Sequence, residues 1–209
     1  MKTGILFDLD GTLLDTLEDL ADSVNHTLAV FGYPLRTREE VRCFVGNGAR
    51  RLIEQAVPDG RDAEEALKVF QKYYREHCQI KTKPYDGILE ALEALSRKYA
   101  IAIVSNKPDA AVKTLCARYF PGIYARGESV DCPRKPAPDM VLKAMEFIGV
   151  ERCIYVGDSE VDVLTAQNAG VPCLSVLWGF RDREDMEAVG GRCFCLYPRD
   201  LPEAIEEML

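Results

Sequence analysis

Two aspartates follow directly on a short apolar run near the start of the chain. Ile5, Leu6 and Phe7 lead into Asp8, and Asp10 comes two residues later. An uninterrupted apolar run is typical of a strand buried on both faces, whereas a buried carboxylate is costly unless it is paired or binds a metal ion. The two acids therefore predict a strand that delivers carboxylates to the ligand-binding edge of a parallel sheet.

Two later apolar runs also end in polar residues. Ser105 and Asn106 follow the run at residues 100–104, and Asp158 follows the run at residues 153–156. Because parallel strands end at the same edge of a sheet, we expect all of these side chains to meet the first two acids there.

Such a meeting of Asp8, Asp10 and Asp158 would raise the pKa values of the carboxyl groups, and a divalent cation would remove the conflict. Oxygen ligands favour Mg²⁺, which keeps waters and can also engage a substrate phosphate. One carboxylate can then attack phosphorus to form an aspartyl-phosphate, and a carboxylate two residues away can protonate the leaving oxygen and later deprotonate water.

Hydrogen-bond donors and a cation complete the predicted site. Ser105 and Asn106 can donate to phosphoryl oxygens, and Lys135, from the basic loop at residues 134–138, can hold the phosphate or the ionised nucleophile. Each of these residues taken alone is also typical of a helix cap, a turn or a solvated surface.

The periodicity of the apolar residues changes twice along the chain. Residues 16–81 show helical spacing and no convincing strand, whereas strands and helices alternate from residue 84 onward. Alternation predicts an α/β fold with a doubly wound parallel sheet. We therefore expect a Rossmann-like core from residues 1–15 plus 82–209, with a helical insert at residues 16–81 that acts as a cap domain over the site.

Composition narrows the class of partner. The 209 residues are 47% hydrophobic and 29% charged, with a net charge of −8 that argues against a nucleic-acid-binding surface. No apolar run approaches the roughly 20 residues of a membrane helix, and no signal-peptide pattern precedes the first strand. We expect a cytoplasmic monomer or homodimer that uses no membrane and acts on a small phosphorylated metabolite.

Four motifs, in order, resemble those of the haloacid dehalogenase (HAD) superfamily. They are Asp8-Leu9-Asp10-Gly11-Thr12, Ser105, Lys135 and Gly157-Asp158-Ser159-Glu160-Val161-Asp162. The resemblance spans nearly the whole chain and implies a HAD-like core with an inserted helical cap.

The resemblance also implies a role for each motif residue. Asp8 would be the nucleophile and Asp10 the general acid and base. Asp8, the backbone carbonyl of Asp10 and Asp158 would bind Mg²⁺, with Asp162 and Ser159 in supporting positions around them. The dehalogenases of this superfamily lack an acid at the position of Asp10, because a halide leaving group needs no proton, so Asp10 favours phosphoryl transfer.

The stretch at residues 45–50 is similar to the cap loop of phosphoglycolate phosphatases. Gly46, Asn47 and Gly48 could bring backbone N–H groups close to a small anion, and Arg50 could bind its carboxylate. A plain helix–helix turn and a solvated helix face are the alternatives for the glycines and for Arg50. Thr12 and Asn106 complete the expected substrate contacts.

These observations predict a Mg²⁺-dependent phosphomonoester hydrolase that works through an aspartyl-phosphate, with 2-phosphoglycolate as the leading substrate. A β-phosphoglucomutase-like phosphotransferase and a pyrophosphatase would keep the same chemistry with another acceptor or substrate. A non-catalytic binding protein on the same fold is the alternative from a different class.

Overall fold

A six-stranded parallel sheet dominates the computed structural model, which describes residues 2–209. The strands, together with a separate two-stranded ribbon, are β1 (Thr3–Phe7), β2 (Leu14–Asp15), β3 (Lys83–Pro84), β4 (Ala100–Pro108), β5 (Tyr124–Glu128), β6 (Arg152–Gly157), β7 (Cys173–Val176) and β8 (Cys193–Cys195). The helices are α1 (Leu17–Val30), α2 (Arg38–Phe44), α3 (Gly48–Ala56), α4 (Glu64–His77), α5 (Ile88–Ser96), α6 (Asp109–Tyr119), α7 (Asp139–Ile148), α8 (Glu160–Ala169), α9 (Arg183–Ala188) and α10 (Leu201–Glu206). None of these helices has both the length and the apolar character that a membrane span requires.

The first strand lies in the middle of the sheet. The strand order is β5-β4-β1-β6-β7-β8, and β1 pairs in parallel with both β4 and β6. The predicted α/β fold with a Rossmann-like parallel sheet is confirmed. The chain passes from one side of β1 to the other, and ligands of such sheets bind at this switch point.

Separate hydrophobic cores cover the two faces of the sheet. Ile5 and Phe7 of β1 are fully buried in the larger core, and Leu6 between them is fully buried in the smaller core. Side chains of a strand alternate between faces, so an apolar residue is needed at every position. This two-sided burial fixes β1 and therefore fixes where the acids after it emerge.

The helical insert contains helices α1–α4 and lies between β2 and β3. These two short strands pair antiparallel with each other, which the sequence analysis did not predict. Asp19 on α1 is buried, and its carboxylate accepts three hydrogen bonds of 2.8–3.1 Å from the backbone N–H groups of Lys81 and Thr82. The ribbon and Asp19 thus tie the two connections of the insert to one another.

Strand β4 is longer than its apolar run. The sequence predicts a strand that ends before Ser105, but β4 continues to Pro108, with a shift of register against β5 between Val104 and Pro108. The polar residues 105–107 therefore belong to the strand itself, and all three are buried at the sheet edge.

Candidate active site

Asp8 emerges from β1 at the centre of the sheet edge. Its backbone N–H still donates to the carbonyl of Val156 on β6, at 2.9 Å, so the sheet fixes its position. The carboxylate is buried, and its Oδ1 lies 2.7 Å from Nζ of Lys135. Burial raises the pKa of Asp8 to about 7, although the charge of Lys135 opposes that rise.

Lys135 is buried among acids and a phenol. Its Nζ donates to Oδ1 of Asp162 at 2.7 Å and to the hydroxyl of Tyr155 at 3.1 Å. Burial disfavours the charge, but Asp162 and Asp8 outweigh it and raise the pKa of Lys135 above its usual range. The ammonium is therefore charged at neutral pH and held between two carboxylates.

Asp158 is fixed by donors on both of its oxygens. The hydroxyl of Thr12 donates to Oδ1 at 3.1 Å, and the backbone N–H of Phe180 donates to Oδ2 at 2.7 Å. A Cβ added at Gly11 would lie 2.2 Å from Oδ2, and Gly11 has a φ of +83°. Only glycine fits there, because both the space and the backbone conformation exclude a side chain.

Three of the acids form a cluster that fits a divalent cation. Oxygens of Asp8, Asp158 and Asp162 lie within 4.8 Å of one another, and all three residues are buried. Burial and the charges of Asp162 and Asp8 raise the pKa of Asp158. When all three are ionised, Lys135 balances only one of the charges, and a buried surplus of this kind is relieved by a cation with oxygen ligands.

The carboxylate of Asp10 does not join that cluster, contrary to the predicted convergence of Asp8, Asp10 and Asp158. Thr16 donates its hydroxyl proton to Oδ1 of Asp10 at 2.6 Å, and Nζ of Lys107 contacts the same oxygen at 2.8 Å. The reason is a second lysine that the sequence analysis overlooked. Lys107 is buried, and its Nζ lies 4.7 Å from the ring centroid of Tyr74 on α4.

Ser105 and Asn106, two polar residues near the end of β4, make different contacts. Ser105 lines the cavity beside Asp8, as expected for a phosphoryl donor. Asn106 differs from the expectation, because its Nδ2 donates to the carbonyls of Gly46 and Lys135 and its Oδ1 accepts the N–H of Lys135 at 2.7 Å. Asn106 thus joins the loop that carries Lys135 to the insert.

The expected substrate contacts of the insert are met only in part. Gly46 and Gly48 line the cavity with φ values of +120° and +80°. Asn47 instead turns its carbonyl to Arg134, which donates from Nη1 at 3.0 Å. Arg50 is exposed, pairs with Glu64 at 2.8 Å and is not among the residues that line the cavity, so its binding of a substrate carboxylate stays a prediction.

Thr12, predicted to contact substrate, and Ser159, predicted to support the metal site, both hydrogen-bond acids of the cluster. Thr12 is fully buried and bonds Asp158, so it lies behind that carboxylate instead of facing a substrate. Ser159 lines the cavity, and its hydroxyl donates to Oδ2 of Asp162 at 2.6 Å. The same oxygen accepts the backbone N–H of Ser159, which fixes Asp162 at the start of α8.

Arg181 anchors the insert to the core. It donates to the backbone carbonyls of Arg42, Cys43 and Val45 at 2.6–3.1 Å, and its Nε lies 3.2 Å from Glu160. In the opposite direction, Arg42 donates to the carbonyl of Phe180 at 2.8 Å. These bonds hold the loop after α2 down against the sheet edge.

The sheet edge and the insert enclose a cavity of about 390 Å³. Its buried end is formed by residues of the sheet edge, namely Asp8, Asp10, Ser105, Lys107, Lys135 and Asp158. The cavity reaches the surface between α4 and α6, where its lining residues are exposed. This arrangement is the usual form of a small-molecule site, with charged groups at the base of a largely apolar pocket.

Sequence reasoning assigned no functional role to Lys107, Tyr74, Tyr155 or Arg181. A signal existed for Lys107, since a lysine directly after Ser105-Asn106 at a parallel strand end must face the same edge. No pattern distinguishes Tyr74 or Tyr155 from ordinary core aromatics. Arg181 lies in a charged run, which normally indicates a solvated surface.

Comparisons with known proteins agree with this geometry. Residues 5–176 match the haloacid dehalogenase-like hydrolase family. A phosphoglycolate phosphatase of Mesorhizobium japonicum is 36% identical over 88% of this chain and 86% of its own length. An N-acetylmuramic acid 6-phosphate phosphatase of Pseudomonas aeruginosa is 31% identical over 98% and 95% of the two chains.

A solved structure extends the likeness to the whole fold. A candidate phosphoglycolate phosphatase from Lactobacillus delbrueckii subsp. bulgaricus superposes with a TM-score of 0.91 at 35% identity, covering 98% of this chain and 99% of that chain. This chain belongs to the haloacid dehalogenase-like hydrolase family, and it is a phosphatase.

Proposed function

We propose that the protein is a Mg²⁺-dependent phosphomonoester hydrolase that works through a phosphoryl group on Asp8. One observation carries the proposal: the buried Asp8 carboxylate lies at the base of the cavity, 2.7 Å from Lys135 and within the acidic cluster. A nucleophile, a fixed cation and a cluster suited to a metal ion thus meet at one point.

In the first half of the reaction, a carboxylate oxygen of Asp8 forms a bond to phosphorus and the bond to the ester oxygen breaks. Asp10, which lines the same cavity, gives the leaving oxygen a proton. In the second half Asp10 takes a proton from water, the water oxygen attacks phosphorus, and inorganic phosphate leaves as the Asp8 carboxylate is regenerated.

Asp8, the backbone carbonyl of Asp10 and Asp158 would hold Mg²⁺, which supplies charge neutralisation for the phosphoryl oxygens. Lys135 adds a positive charge fixed before the substrate arrives. Asp162 and Tyr155 position Lys135, while Thr12 and the N–H of Phe180 position Asp158. The helical insert would act as a cap that keeps bulk water from the phosphoryl group.

The proposed substrate is 2-phosphoglycolate. Several relatives bear the name phosphoglycolate phosphatase, at 34–37% identity. The site also supplies cations for a doubly anionic molecule, since Lys107 and Lys135 both line the cavity. Lys107 contacts both carboxylate oxygens of Asp10, and we assign its remaining N–H donor to the carboxylate of this substrate.

Phosphate release from a panel of small esters tests the proposal. The panel contains 2-phosphoglycolate, N-acetylmuramic acid 6-phosphate, β-glucose 1-phosphate and pyrophosphate, each with and without Mg²⁺. We expect Mg²⁺-dependent release with the highest kcat/KM for 2-phosphoglycolate. Preference for pyrophosphate, or formation of glucose 6-phosphate, would identify the alternative chemistries, and a folded protein without any activity would reject the proposal.

A further inference from the structure

The cavity is larger than 2-phosphoglycolate requires. Its volume of about 390 Å³ falls in the range of roughly 300–1,000 Å³ that is typical of sites for drug-sized ligands. The volume of the cavity does not result from a separation of the insert from the core. Asn106, Arg134 and Arg181 all hydrogen-bond backbone carbonyls of residues 42–47 in the insert, so the two parts are already in contact.

Apolar side chains line the part of the cavity beyond the sheet edge. Leu52 and Phe70 are buried side chains of the insert, and Ala111 lies opposite them on α6 of the core. None of these side chains can bind a phosphate or a carboxylate. They can only stabilise an apolar portion of a ligand, by removing it from water.

One hydroxyl in this wall has no acceptor within residues 2–209. The hydroxyl of Tyr74 is buried, lines the cavity close to the ammonium of Lys107, and donates to no acceptor of the described residues. A buried donor without an acceptor is unfavourable, and a ligand oxygen that accepts from it would remove that cost.

We propose that this part of the cavity is a leaving-group subsite, through which the enzyme also hydrolyses phosphomonoesters with an extended apolar leaving group and an oxygen that the Tyr74 hydroxyl can bind. The inference rests on the proposed function, because the phosphoryl group must first lie at Asp8. The leaving group then runs along Leu52, Phe70 and Ala111 toward the opening between α4 and α6.

A series of n-alkyl phosphates, from ethyl to hexyl, measures the apolar contribution directly. The reactivity of the ester bond is nearly constant in such a series, so a change in kcat/KM reports binding of the chain. We expect a rise of up to about fourfold per methylene group over the length that the cavity holds.

Three variants locate the effect. Ala111→Phe fills the cavity and should remove the increase of kcat/KM with chain length. Thr114→Trp, at the exposed mouth, should end that increase at a shorter chain. Ala117→Phe is the matched control, because Ala117 is exposed on the same helix and outside the cavity, and it should leave the rise intact. Circular dichroism confirms that each variant is folded.

Tyr74→Phe tests the polar contact with a pair of esters of equal chain length. The ratio of kcat/KM for glycerol 1-phosphate to that for propyl phosphate should fall about threefold to tenfold, the usual effect of one lost hydrogen bond. An unchanged ratio would show that the hydroxyl does not bind the leaving group.

The experiments distinguish a failure of the subsite from a failure of the proposed function. Phosphate release that is independent of chain length in the unmodified enzyme, or an equal rise in Ala111→Phe, would overturn the subsite and leave the proposed function standing. No release from any ester, 2-phosphoglycolate included, would instead reject the proposed function on which the subsite rests.

Discussion

Two buried lysines lie at the same sheet edge, but they face different numbers of acids. Lys135 is within 2.7 Å of both Asp8 and Asp162, and Asp158 completes the cluster beside it. Lys107 pairs with Asp10 alone, at 2.8 Å. The first group keeps a negative surplus that suits a metal ion, whereas the second is balanced within the protein.

This difference separates two tasks at one site. The surplus at Asp8 is relieved by a proton at low pH and by a cation at higher pH, so this group can organise metal and phosphate together. Asp10 and Lys107 line the same cavity outside that cluster, and we assign to them the proton transfers and the leaving-group side of the substrate. Thr12 supports Asp158 in the first group, and Thr16 supports Asp10 in the second.

Replacing each lysine with methionine should give the largest contrast. Lys135→Met removes the fixed cation at the nucleophile and should lower kcat/KM for 2-phosphoglycolate by about 10²–10³. Lys107→Met should cost about tenfold, since it affects the acid and the leaving-group side only. Steady-state kinetics checks both values, with Lys68→Met, an exposed residue of α4, as the control. Equal losses in the two variants would remove the distinction between the groups.

Binding of Mg²⁺ should raise the melting temperature of the protein, and the size of this increase should depend on pH. The pKa of Asp8 is about 7 in the folded protein without metal, above the ordinary value of 3.8, so the stabilisation from its bound proton is present near pH 4 and is lost as pH rises toward 7. Above pH 7 a cation no longer displaces that proton. Mg²⁺ should therefore raise Tm more at pH 8 than at pH 5, and at pH 8 a concentration one hundred times its Kd should add about 2.7 kcal/mol to the free energy of unfolding.

Differential scanning fluorimetry at the two pH values measures this effect. Asp158→Asn should abolish most of the rise in Tm, whereas Asp59→Asn, an exposed acid of the insert, should keep it. A Tm that responds equally to Mg²⁺ in Asp158→Asn would place the metal elsewhere.

Replacing Thr12 and Thr16 should give the smallest difference between the two lysine groups. Thr12→Val loses one bond to Asp158 and should raise the Mg²⁺ concentration for half-maximal activity about tenfold, with little change at saturation. Thr16→Val should leave that concentration unchanged and lower kcat, because its bond goes to Asp10. Mg²⁺ titrations of activity read both effects, and a shared response would show that the two groups act as one.

The residues that end a buried strand were predictable from the sequence. Asp8, Ser105 and Asp158 each follow an apolar run, and the geometry of a parallel sheet then requires them to meet. Lys135 was predictable from its place in a basic loop between two such strands. These arguments need only strand order and direction, which the alternation of elements supplies.

What the sequence could not supply depends on tertiary contacts. The position of Lys107 gives a local signal that it lies at the sheet edge, but its pairing with Asp10 and the register shift of β4 against β5 depend on tertiary contacts. Arg50 and Arg181 have the same charge, yet Arg50 is exposed and Arg181 is partly buried against the insert, because packing and not composition selects the face. A functional role for Tyr74 can be proposed only once the structure shows that its hydroxyl lines the cavity.

The most direct test of the central claim is detection of a phosphoryl group on Asp8 during turnover. Enzyme mixed with 2-phosphoglycolate and Mg²⁺ is quenched in acid within milliseconds and reduced with borohydride, which converts an aspartyl-phosphate to homoserine, and the peptides are sequenced by mass spectrometry. We expect homoserine at position 8 in the unmodified protein, and neither homoserine nor turnover in a folded Asp8→Asn variant. Homoserine at another aspartate, or turnover in Asp8→Asn like that of the unmodified protein, would contradict the account.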